Sequence, residues 1–102
     1  MAKLFAIYQQ PKDTAAFDSY YFNTHVPLAK TLPGLRNYEV TRGAVMEMGD
    51  EHGVYLVAVL EFDSMASIAS AMDSPQGQAT AADLPNFAAA GVKVLMAETT
   101  KI

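Results

Sequence analysis

Cysteine is absent from this 102-residue chain, which excludes disulfides, thiolate nucleophiles, CxxC redox chemistry and thiolate metal sites together. Basic residues are scarce. Seven Lys and Arg against eleven Asp and Glu give a formal charge of -4, with no basic stripe to neutralise phosphates, so nucleic acid is not an expected partner. No apolar run reaches the roughly 18 residues of a membrane-spanning helix, and MAKLFAIYQQ at the start is one Lys before a short apolar segment without a cleavage region. The expectation is a cytoplasmic protein that does not engage a membrane. The patterns GxGxxG, GxxxxGK[ST] and GxSxG do not occur, which removes the usual sequence signatures of nucleotide cofactors, P-loop chemistry and hydrolase elbows. Any catalysis is therefore expected to need no cofactor. His52, in GDEHG, has no second His or Cys at ligand spacing, so it reads as a surface residue and no metal site is expected.

About half of the residues are apolar, enough for one compact core and too few for two, so residues 1–102 are read as a single domain. A chain of this size buries only about two-thirds of its unfolded surface, which calls for an economical core or for a partner subunit over an apolar face. KLFAIYQ (residues 3–9) reads as a first strand, apolar on both faces and stopped by QPKD. Asp13 or Thr14 can cap a helix whose apolar positions Phe17, Tyr20, Tyr21, Thr24, Leu28 and Leu32 recur at three- and four-residue steps. LPGL at 32–35 breaks it, and LRNYEVTRGAV (35–45) alternates as a second strand before a turn through MEMGDEHG. VYLVAVLEF (54–62) is the strongest strand and, being apolar on both sides, central. Ser64 can cap a helix with a Met65, Ile68, Met72 stripe, Pro75 starts a second helical piece, and VKVLMAETT (92–100) is the last strand.

The order βαββαβ in one short domain predicts an α+β ferredoxin-like sandwich: a four-stranded antiparallel sheet, strand order 4-1-3-2, with both helices on one face. Leu4, Ala6 and Tyr8 alternate with Phe5 and Ile7, and Tyr55, Val57 and Val59 alternate with Leu56, Ala58 and Leu60. One set covers the helices and the other faces water, and the sequence does not say which. An apolar sheet face of this kind is an association surface, so a homodimer closed into a barrel of two sheets is expected.

FDSYYFNTHVPLAKTLPGLRNYEV, DSPQGQATAADLPNFA and the closing VKVLMAETTKI resemble the EthD-like family, named for ethyl tert-butyl ether degradation proteins, within the dimeric α/β-barrel superfamily. The H-x-P followed by L-P-G-L is the specific part of the likeness. The resemblance implies a dimeric α/β barrel, a small apolar cavity between the first helix and the sheet of each subunit, and a role in degrading or rearranging small organic compounds.

His25 is the residue in this pattern that asks for a reason. At 100° per residue it lies on the shoulder of the Phe17, Tyr21, Leu28, Leu32 stripe, half buried at the seam of helix and sheet. Pro27 has no N–H for the Asn23 carbonyl and disfavours helical geometry at Val26, so the helix is expected to bend or restart just after His25. One reading is a core-edge histidine bonded to a backbone carbonyl or a tyrosine. The other is a neutral imidazole poised for proton transfer in an apolar pocket. Tyr21, one turn earlier, is its candidate catalytic partner. Tyr8, Phe17, Pro27, Leu28, Tyr38 and Tyr55 are candidate walls of a substrate pocket, and Arg36 a weaker candidate for neutralising an enolate or carboxylate. Two functions follow: a cofactor-free isomerase, cyclase or monooxygenase-like oxidoreductase of a catabolic pathway, binding a small apolar, oxygen-bearing molecule; or a non-catalytic module that holds a hydrophobic ligand or assists another enzyme.

Overall fold

The structure, a computed structural model, describes residues 1–49 and 53–102, so the reading of His52 as a surface residue falls outside the described residues. The chain runs β1 (Ala2–Gln9), α1 (Thr14–Tyr20), a π-helical turn (Tyr21–His25), α2 (Val26–Ala29), β2 (Asn37–Val40), β3 (Val54–Phe62), α3 (Met65–Asp73), α4 (Pro75–Asp83), a 3₁₀ turn (Leu84–Asn86) and β4 (Val92–Glu98). The sheet order is β2-β3-β1-β4 with every neighbour antiparallel, the expected ferredoxin-like topology. Among the described residues no helix is long and apolar enough to cross a membrane.

Local chemistry explains the helix starts. Asp13 Oδ1 accepts from the Ala16 N–H, Ser64 Oγ from Ser67 and Ser74 Oγ from Gly77, each satisfying an orphan donor of a first turn. Pro75 sits in the first turn of α4, where its missing N–H costs nothing. Ala71 is buried with Ile68 in the inner stripe of α3, Met72 is half buried, and Met65, expected in that stripe, is exposed at the start of the helix. β2 is shorter than expected, ending at Val40. Thr41 still bonds to Val57, but Gly43, at φ 77, turns the chain away from the ladder.

The core forms where the helices cover the sheet. Ala2, Leu4, Ala6 and Tyr8 of β1 and Leu56, Ala58, Leu60 and Phe62 of β3 are buried beneath Phe17, Tyr21, Ile68 and Ala71. The alternate residues Phe5, Ile7, Val57 and Val59 are only half buried, and Leu95 of β4 is exposed. This settles the face left open by the sequence: the odd-numbered set forms the apolar sheet surface away from the helices. Tyr55 departs from the set. The β1–β3 register shifts between Tyr8 and Gln9, leaving Tyr55 as an extra residue on β3. The bulge turns its ring to the helix side, 5.3 Å from Phe17.

Candidate functional site

The first helix bends where Pro27 requires it to, by widening. The Val26 N–H reaches back five residues to the Tyr21 carbonyl, so the turn before the proline is π-helical. The extra residue in that turn rotates everything after it, and the inward stripe becomes Phe17, Tyr21, His25, Ala29 and Leu32. Thr24 is exposed and Leu28 only half buried, contrary to the regular 100° pattern. His25 accordingly is not a half-buried shoulder residue: it is 4% exposed.

Its partner is a carboxylate, in place of the backbone carbonyl or tyrosine expected. His25 Nδ1 lies 2.9 Å from Asp83 Oδ2, both residues buried. Asp83 ends α4, which packs beside α2. Its other oxygen accepts from the Tyr20 hydroxyl and, at 2.9 Å, from Asn86 Nδ2. Burial pushes the Asp83 carboxyl up, but hydrogen bonds from Tyr20, Asn86 and His25, with the charge on His25, outweigh it and hold the group below the usual carboxylate range. The Tyr20 phenol is pushed up in return, first by that hydrogen bond and then by burial. An ionised carboxylate can only accept, so His25 Nδ1 must carry the proton. When Nδ1 carries the ring's one proton, the lone pair is on Nε2, which has no hydrogen-bond partner among the described residues.

An aromatic cluster encloses the ring. Phe87 lies 4.6 Å from the imidazole centroid, and Tyr21 stacks on it at 5.6 Å. Tyr8 meets Phe17, Tyr21 and Phe87 at 5.5–5.6 Å, mostly edge to face. The Tyr21 and Tyr38 hydroxyls are 2.7 Å apart, and burial, the largest cause at each, pushes both phenols up. Tyr55 donates to Asp18 at 2.8 Å. Two grooves flank the cluster. One, about 780 Å³, is bordered by Asp18, Phe22 and Tyr55 under the segment after β2; the other, about 510 Å³, by Phe17, Tyr20, Asn86 and Phe87.

The structure thus brings together His25, Tyr21, Tyr8, Phe17, Tyr38 and Tyr55; Leu28 is half buried and is not among the residues packed against this core. It does not bring in Pro27, which is exposed on α2 and acts through the helix it distorts. Arg36 is also outside: its guanidinium makes a bidentate pair with Asp63, at 3.0 and 2.8 Å, on the surface. Sequence reasoning missed Asp83, Asn86 and Phe87, and gave Tyr20 no role beyond the stripe. One signal was present. A carboxylate in the last turn of a helix opposes the helix dipole, so Asp83 needed a compensating set of partners.

Comparison with known proteins agrees with this architecture. Residues 9–91 match the EthD domain. An ethyl tert-butyl ether degradation (EthD) family protein from Bacillus halodurans superposes with a TM-score of 0.88 at 40% identity, covering 98% of this chain and 99% of that one. An uncharacterized 11.0 kDa protein from the thcB-thcC intergenic region of Rhodococcus erythropolis is 36% identical over 98 residues, 96% of this chain and 94% of its own length. SnoaB, a cofactor-independent oxygenase from Streptomyces nogalater, shares the fold alone, with a TM-score of 0.67 at 14% identity over 99% of this chain and 94% of that one. With the match running across most of its length and two near full-length relatives above 30% identity, the chain belongs to the EthD family.

Proposed function

We propose that this protein is a cofactor-free catalyst of proton transfer on a small, apolar, oxygen-bearing organic compound, with His25 as the general base and Asp83 as the residue that orients it. The observation that carries this reading is the 2.9 Å contact between buried His25 Nδ1 and buried Asp83, which directs the unshared pair of Nε2 away from the carboxylate. An acceptor carboxylate on Nδ1 both selects the tautomer and stabilises the imidazolium that forms when Nε2 takes a proton. The surrounding rings of Tyr8, Phe17, Tyr21 and Phe87 suit a flat apolar ligand and exclude bulk water, so the two partial charges that develop are little screened. SnoaB, with the same fold, works without a cofactor. Isomerisation and cyclisation both need such a transfer.

The open apolar face of Phe5, Ile7, Val57, Val59 and Leu95 supports the second part of the reading, a homodimer joined through the sheets. The proton-transfer reading is tested in D2O with a panel of small ketones and lactones and no added metal or organic cofactor. Proton NMR should show α-deuteration catalysed by the wild type and not by His25→Ala. Tight binding of panel members with no exchange in either protein would assign the non-catalytic ligand-holding role instead.

A further inference from the structure

Among the described residues, two polar ends in the aromatic cluster have no hydrogen-bond partner. Tyr8 is 2% exposed, yet among the described residues its hydroxyl makes no hydrogen bond, whereas Tyr20, Tyr21, Tyr38 and Tyr55 all do. His25 Nε2 is the other. No buried side-chain nitrogen or oxygen in the described residues lacks both solvent and a partner, so the small exposed remainder of each residue includes its polar end. Tyr8 and His25 also border the same two rings: Tyr21 lies 5.5 Å from Tyr8 and 5.6 Å from His25, and Phe87 lies 5.6 Å and 4.6 Å from them.

We infer that the Tyr8 hydroxyl is the oxygen-recognition group of this site, and that with His25 it selects a planar, enolisable carbonyl compound. A hydroxyl at the exposed edge of an aromatic core, with no partner among the described residues, adds nothing to packing that phenylalanine would not supply, and a ligand oxygen would give it a partner. Tyr21, the candidate from sequence, is less suited, since its hydroxyl is already committed to Tyr38. Burial pushes the Tyr8 phenol well above its ordinary value, helped by Tyr38 and Asp83, so it stays a donor throughout the neutral range.

This assignment rests on the proton-transfer reading. Nε2 forms a bond to the α-hydrogen as the C–H bond breaks. That electron pair becomes the new C=C bond, and the carbonyl π pair moves onto the oxygen. The Tyr8 O–H accommodates the resulting charge, and return of a proton or deuteron from Nε2 to carbon completes the exchange or isomerisation. No oxidant or reductant is consumed.

The probe is 2-tetralone, a benzo-fused enolisable ketone whose enol is close to planar, with tetralin as its oxygen-free counterpart. Wild type should bind the ketone more tightly than tetralin. Tyr8→Phe should weaken ketone binding about tenfold, the worth of one hydrogen bond to a partly charged oxygen, without changing tetralin binding. Because the lost hydroxyl has no partner among the described residues, Tyr8→Phe should melt no lower than wild type, which separates the effect from misfolding. His25→Ala should retain ketone binding within a few-fold and lose exchange. Unchanged ketone affinity in Tyr8→Phe, equal affinity of the wild type for ketone and tetralin, or no binding of 2-tetralone would each overturn the Tyr8 assignment. Weakened binding in Tyr8→Phe with full exchange in His25→Ala would leave that assignment standing and remove the proton-transfer reading.

Discussion

His25 and Asp83 illustrate how a buried charge-assisted contact is held in a small domain. Asp83 is satisfied by three donors, Tyr20, Asn86 and His25, and its ionised form is the one the fold stabilises. The sign of the linkage follows. The folded value lies below the ordinary aspartate value of 3.8, so the stability carried by the carboxylate is full above that value and is lost as pH falls through the lower folded one. Chemical denaturation across the acid range should therefore show a steeper loss for wild type than for Asp83→Asn, and parallel curves would refute the linkage. On an exchangeable ketone, His25→Ala should lower the rate by on the order of 10²–10⁴, the usual worth of a positioned general base. Asp83→Asn should reduce the rate while leaving ketone affinity unchanged, since an amide at 83 accepts either imidazole tautomer. A fall in affinity alone would argue that Asp83 serves binding.

Among the elements, the three capped helices and the proline-widened turn show what is readable in a sequence and what is not. Asp13, Ser64 and Pro75 announced their helices, since cap chemistry is local. The break at Pro27 was equally legible, but its form as a π turn was not, because several distortions relieve one missing N–H and packing selects among them. That choice buried His25 and displaced Thr24 and Leu28. The Tyr55 bulge is similar: alternation grouped it with Val57 and Val59, and one extra residue in β3 turns it to the opposite face from them. Asp83 was hidden because its partner is 58 positions away and no local pattern encodes that pairing. The α3–α4 corner supplies a test at this scale. A Cβ on Gly77 would lie 2.1 Å from the Ala71 carbonyl oxygen and 2.5 Å from Met72 Cα, both backbone atoms that cannot swing aside. Gly77→Ala should destabilise by about 1–3 kcal/mol, and Ser74→Ala, which removes the cap on Gly77, by about 1 kcal/mol. Thermal melts within a degree of wild type for both would contradict this account of the corner.

The whole molecule has one apolar layer between sheet and helices and a second on the far side of the sheet. Substitutions on adjacent residues of β3 separate them. Ala58 is 1% exposed on the helix side, so Ala58→Lys should abolish folding, whereas Val59→Lys should leave a folded chain that no longer dimerises. Light scattering and circular dichroism on the pair decide the matter: a folded, dimeric Val59→Lys protein would place the interface elsewhere. The βαββαβ order and the two-sided strands made this layered architecture accessible from sequence, because alternation along a strand is a direct image of its two faces. The site is held by long-range side-chain pairs between α1, its π turn and α4, which is why the aromatic residues of α1 and the strands were anticipated while Asp83, Asn86 and Phe87 were not.

The account rests on Asp83 fixing the proton of His25 on Nδ1 and leaving Nε2 as the base. Long-range ¹H–¹⁵N correlation spectra of the imidazole at neutral pH measure this directly. The expected spectrum assigns a protonated Nδ1 and an unprotonated, pyridine-like Nε2 to His25, with the preference relaxed in Asp83→Asn. A pyridine-like Nδ1 in the wild type, or a spectrum that Asp83→Asn leaves unchanged, would contradict it.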